Sequence, residues 1–202
     1  MAHFLIQIYI IHLLIIPIGS LFISNSKNLY ITYSSQLIYS IILLSFFGLL
    51  LNFFFPLNIH FNSLLIILLL IMTLKRWKEF YIKKEFYIYC FFSTIIISFL
   101  LIESNVYRPD AGLYHLPFIN ILNEEKIIFG LSNLHFRYAH TSILQHTSAI
   151  FNNYLLGVNG IVIPSALIVS AVFINFTSRI INLINLKKND FELIFLIFIQ
   201  LF

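Results

Sequence analysis

Residues 103–153 read ESNVYRPDAGLYHLPFINILNEEKIIFGLSNLHFRYAHTSILQHTSAIFNN, and the reading of this stretch decides the fold. It is a polar island in a chain that is otherwise almost continuously apolar. It holds Arg108, Asp110, Glu124, Glu125, Lys126 and Arg137, and His115, His135, His140 and His146, four of the seven histidines. Long apolar runs flanking a compact group of titratable residues suggest a membrane scaffold that carries a site.

Composition agrees with that reading. Of the 202 residues, 60% are hydrophobic and 10% charged. Soluble domains carry about 25% charged residues. So little polar surface cannot cover a globule, and the expected class is an all-α, polytopic transmembrane protein. The net charge of +4 is small and sits beside apolar runs. It reads as a topology signal, and a nucleic-acid partner and a soluble enzyme are both disfavoured. Cys90 is the only cysteine, which excludes an intrachain disulfide or a cysteine metal cluster.

Working outward, residues 1–102 read as four spans. His3–Ile23 is the first, followed by a polar connection at Ser24–Gln36. Leu37–Phe55 and Leu57–Leu74 are the second and third, separated by a turn at Pro56–Asn62. Lys75–Glu85, KRWKEFYIKKE, has five basic residues in eleven and marks a cytoplasmic connection. Phe86–Ile102 then crosses outward, so residues 103–153 form a large extracytoplasmic loop. In residues 154–202, Tyr154–Phe176 returns as a fifth span, started late or kinked by Pro164, and Arg179, Lys187 and Lys188 mark the cytoplasm again. Asp190 can cap a sixth helix, FELIFLIFIQLF. Twelve residues rise roughly 18 Å against a hydrocarbon core of about 30 Å. The expectation is a truncated sixth span and a chain that is part of a longer protein.

Within the loop, Pro109 holds Arg108 out of helical conformation. Asp110 can act as a general base or a metal ligand, with Tyr114 and His115 on the next turn. The plain alternative is that Asp110 caps a helix starting at Ala111. Leu116–Ile128 is amphipathic, suited to the membrane interface, with Gly130 as its C-cap. Glu124-Glu125-Lys126 reads as a solvated face. In Gly130–Ser142, the planar fork of Arg137 can clamp a phosphate, and Asn133, His135 and His140 can hydrogen-bond a sugar or diphosphate. Alternatively these groups satisfy one another. The histidine spacings of five and six residues do not match a helical zinc pair.

The segment YRPDAGLYHLPFINILNEEKIIFGLSNLHFRYAHTS, Tyr107–Ser142, resembles the first large extracytoplasmic loop of the GT-C superfamily of bacterial multi-pass glycosyltransferases. That superfamily includes relatives of the protein mannosyltransferases and aminoarabinose transferases. Its acidic residue early in this loop, a catalytic base or metal-linked acid, matches Asp110. Ala111 follows Asp110, where the superfamily commonly has an Asp-Glu pair, and several spans precede the loop instead of one. The resemblance implies inverting transfer of a sugar from a polyprenyl-phosphate donor to an envelope acceptor, in a bacterial inner membrane. Asp110 would be the catalytic residue. Tyr114, His115, Asn133, His135, Arg137 and His140 would bind substrate. A divalent metal is compatible with this reading, but the cofactor stays open. Two other readings compete: a non-enzymatic transporter or flippase component, and an inactive remnant.

Overall fold

The computed structural model describes residues 2–24, 26–75, 80, 83–103, 111–140, 142–185 and 195, and every regular element among them is helical. The sixth helix expected after Asp190, apart from Phe195, lies outside the described residues, as do Lys187 and Lys188.

The first helix, α1, spans Ala2–Gly19 and is apolar on all sides, as a helix surrounded by lipid and other helices should be. The second, α2, spans Leu29–Asn52. Its start corrects the expected connection at Ser24–Gln36. Asn28 is the N-cap, and its Oδ1 accepts from the backbone N–H of Tyr30 at 3.0 Å and Ile31 at 3.3 Å. The polar run that follows is helical, and Thr32, Tyr33, Ser34 and Gln36 are buried. Gln36 Nε2 reaches across to the Ile23 carbonyl at 3.0 Å. Asn28→Ala is expected to cost about 1 kcal/mol, read as a lowered thermal midpoint of the purified protein. An unchanged midpoint would mean that packing alone sets the start of α2.

Next come α3, Ile59–Lys75, and α4, Lys84–Glu103. A turn of π geometry at Ala111–His115 leads into α5, Leu116–Glu124. The amphipathic segment thus ends as helix at Glu124, and the chain is extended at Glu125. Gly130 does not cap it. Gly130 has φ +85° and precedes a single turn, α6, Leu131–Leu134. A 3₁₀ turn at Phe136–His140 and α7, Leu144–Phe151, complete the loop. A second 3₁₀ segment, Gly157–Val162, runs into α8, Ile163–Asn185. Pro164 stands in the first turn of α8, where its missing N–H costs nothing, so the helix starts late as the sequence suggests.

Among the described residues, three helices are long and apolar enough to cross a membrane: Leu29–Asn52, Lys84–Leu101 and Gly157–Asn185. The apolar helices His3–Gly19 and Ile59–Lys75 are shorter. The hub is α2, which packs against α1, α4, α7 and α8. The outer faces stay apolar. On α3, Leu64, Ile67, Leu68, Ile71 and Leu74 are all exposed, which suits lipid and not water. Polar contacts join the helices inside. His12 Nδ1 lies 2.9 Å from the Ile8 carbonyl, and Nε2 lies 2.7 Å from Ser93 Oγ, which is 2.9 Å from Ser170 Oγ. Nδ1 therefore donates and Nε2 accepts, tying α1, α4 and α8 together.

The two ends of the bundle differ. At one end the start of α2 meets Phe80 and Phe86 through Tyr33, and Asn175 Nδ2 of α8 lies 3.5 Å from the Ile31 carbonyl. Lys27, Lys75, Lys84 and Arg179 all belong to this end by their places on the helices. At the other end, α5 and α7 are tied to the turn between α2 and α3 by asparagines. Asn52 Nδ2 donates to the carbonyls of Phe55, Leu122 and Glu125, and Ile127 N–H donates to the Asn52 carbonyl. Asn62 Nδ2 faces the carbonyls of Leu57, Ala149 and Asn152. Asn123 Nδ2 donates to Leu57 and Ala149, and its Oδ1 accepts from Asn152 Nδ2 at 2.9 Å.

Candidate functional site

Above that asparagine floor, two short segments bring the expected binding residues together. The π turn delivers Tyr114 and His115 side by side, with ring centroids 4.2 Å apart. The 3₁₀ turn delivers Arg137, whose guanidinium carbon stands 4.8 Å from the centroid of the Tyr114 ring and 5.7 Å from that of Phe136. A cation over an aromatic face is attracted by the ring quadrupole. His135 stacks on Phe136 at 5.2 Å and meets Tyr138 at 5.4 Å, and Tyr138 in turn packs on Phe118 of α5. The backbone N–H of Arg137 donates to His135 Nδ1 at 3.3 Å.

Gln145 orients His115. Its Oε1 accepts from the Ser142 N–H at 3.0 Å, so its Nε2 is the donor toward His115 Nδ1, also at 3.0 Å. That assigns Nδ1 as acceptor and leaves the ring proton on Nε2. Gln145 is only 8% exposed, whereas His115 is exposed. A fixed, solvent-facing imidazole N–H beside an Arg–Tyr pair makes a surface suited to anionic oxygens.

The remaining expected residues fall differently. Asn133 belongs to the turn at Gly130, where its N–H donates to the Gly130 carbonyl at 2.9 Å. His140 ends the 3₁₀ turn. Asp110 lies outside the described residues, directly before the π turn in the chain. Among the described residues, no three His, Cys, Asp or Glu side chains gather as a metal ion needs. Gln145, which holds His115, was not anticipated as part of this site. His146 beside it, one of the four histidines of the polar island, is only 6% exposed. The only hint in the sequence is a polar pair set inside the apolar turn of ILQHTSAIF.

A model for a domain of unknown function, DUF8201, matches residues 1–202, the whole chain. The chain belongs to the DUF8201 family. No curated protein and no solved structure matches it. In this DUF8201 chain the Arg137–Tyr114–His115 cluster stands at the end of the bundle remote from Lys75, Lys84 and Arg179.

Proposed function

We propose that this DUF8201 chain carries the membrane-boundary site of a GT-C-type glycosyltransferase in a bacterial inner membrane. It takes a sugar from a polyprenyl-phosphate donor and transfers it to an envelope acceptor. The observation that carries the reading is the Arg137–Tyr114–His115 cluster, with His115 held by Gln145, immediately after Asp110 in the chain. Lys27, Lys75, Lys84 and Arg179 belong to the opposite end, which supports a cytoplasmic place for them and an outward-facing cluster.

A lipid-linked donor keeps its tail in the bilayer and its phosphate at the boundary, the level at which the cluster stands. In the proposed reaction Asp110 takes the proton of the acceptor hydroxyl. The acceptor oxygen bonds to the anomeric carbon from the face opposite the leaving group. The bond from that carbon to the phosphate oxygen breaks, and its electron pair leaves with the lipid phosphate. Arg137 and the His115 N–H stabilise that charge.

The test uses the full chain in lipid nanodiscs with a panel of radiolabelled polyprenyl-phosphate hexoses and extracted envelope acceptors. Arg137→Lys keeps the charge but loses the planar fork, and is expected to slow transfer about tenfold. Asp110→Asn is expected to abolish it. Transfer at the wild-type rate by Asp110→Asn rejects the base assignment. Donor binding that needs Arg137 but yields no product with any hexose identifies a headgroup carrier instead.

A further inference from the structure

Tyr39, Ile42, Phe46, Leu50 and Phe53 are all exposed, and their spacings of three or four residues put them on one side of α2. This stripe suits lipid, like the outer face of α3. The helix rises about 36 Å, more than the roughly 30 Å of hydrocarbon it would cross, so its ends stand at the membrane boundary. The stripe does not stop with the helix. The Phe129 ring stands 6.4 Å from the Phe53 ring. Ile127 N–H donates to the Asn52 carbonyl at 2.9 Å, which fixes the segment 127–136, IIFGLSNLHF, against that end of α2. The far end is held as well. His135 N–H donates to the Leu131 carbonyl at 3.2 Å, and the His135 ring meets Tyr138, which packs on Phe118. Within this anchored segment, Phe129 is 84% exposed, Leu134 81% and Phe136 67%. Phe129 and Leu134 are the two most exposed large apolar side chains among the described residues. Apolar side chains left outside the core to this extent, in one short segment, mark a surface that something else covers.

We propose that the segment 127–136 is a membrane anchor: Phe129, Leu134 and Phe136 insert among phospholipids, in the leaflet at the C-terminal end of α2. The occupant is phospholipid and not a second protein, because the surface continues the lipid-facing stripe of α2 through the contact of Phe53 with Phe129. The side chains around it agree. Aromatic rings favour the boundary between hydrocarbon and headgroup. Lys126, exposed and three residues before Phe129, can lay its apolar stem along the leaflet and bring its charge to a lipid phosphate. Insertion of an apolar face at the interface is shallow, about 5–10 Å. Arg137 follows Phe136 directly in the chain, so an anchor of that depth holds it near the headgroups. The anchor stands whether or not the chain transfers a sugar, and its test reads depth alone.

The experiment measures the depth of a single tryptophan in the full chain, held one copy to a lipid nanodisc. Trp77, the only tryptophan, is removed by Trp77→Phe, and Phe129→Trp or Leu134→Trp is added. Both sites are exposed, so the helical signal should be unchanged. The discs carry phospholipid brominated on the upper or on the lower half of its acyl chains. Upper bromines are expected to quench each tryptophan about twofold more strongly than lower ones, as shallow insertion requires. Aqueous iodide is expected to leave the emission unchanged. Quenching by iodide would put the segment in water. Protection from bromine and iodide alike would mean that protein covers it, and stronger quenching by the lower bromines would put it deep among the spans. Each of these results would overturn the proposal.

Discussion

Asn62→Asp is expected to destabilise the bundle more than Asn62→Ala, although it changes one terminal group. Asn62 Nδ2 faces the carbonyls of Leu57, Ala149 and Asn152, and the residue is fully buried. Alanine removes the donors and leaves those carbonyls short of a partner. At about 1–3 kcal/mol per unsatisfied buried group, and with Leu57 and Ala149 still served by Asn123, the expected loss is about 3 kcal/mol. An ionised aspartate is an acceptor only. It keeps the bulk and puts an oxygen in place of Nδ2, facing the three carbonyl oxygens, which adds an uncompensated buried charge to the lost bonds. Removing the partner of a buried charge typically costs about 3–5 kcal/mol, so the aspartate variant should fall below the alanine one. Thermal unfolding of the three proteins at neutral pH in one detergent gives the order. An aspartate variant as stable as wild type would mean that the asparagine floor is not held by its amide donors.

The second large effect is expected at Gly19. A Cβ there would lie 1.9 Å from the Gln36 carbonyl oxygen and 2.7 Å from Ser40 Oγ. The first neighbour is backbone of α2, so no side-chain rotation relieves the clash. Gly19→Ala must push α1 away from α2 and strain the bond from Ser40 Oγ to the Ile15 carbonyl, now 2.7 Å. Overpacking of this kind costs about 3 kcal/mol, at the close approach that small residues permit between membrane helices. Gly112→Ala supplies the control, because nothing lies within 4 Å of the position a Cβ would take there. Its midpoint should match the wild type. Equal midpoints for the two variants would show that α1 moves freely over α2.

The apolar runs and the late start at Pro164 were legible because each depends on neighbours in the chain. The first turns of α2 were not. Thr32, Ser34 and Gln36 look like a polar connection, yet they are buried, and Gln36 and Thr32 are bonded to Ile23 and Ser26. Polar residues that pair inside a bundle leave no periodic trace. The same holds for Asn52, Asn62 and Asn123, whose partners are 26 to 90 residues away, apart from local contacts. As single letters they read as turn formers. At the candidate site, Tyr114, His115, His135 and Arg137 were named from residue type, and the fold brings them to one surface. Gln145 was not named, because its role arises only once α7 lies beside the π turn.

The asparagine floor also sets an order of events during synthesis. Asn62 is made early, but its partners Ala149 and Asn152 follow 87 and 90 residues later. Until that length has left the ribosome, the Asn62 amide lacks two of the three carbonyls it faces in the folded chain. The turn between α2 and α3 is therefore closed last, by the short helix that carries Ala149.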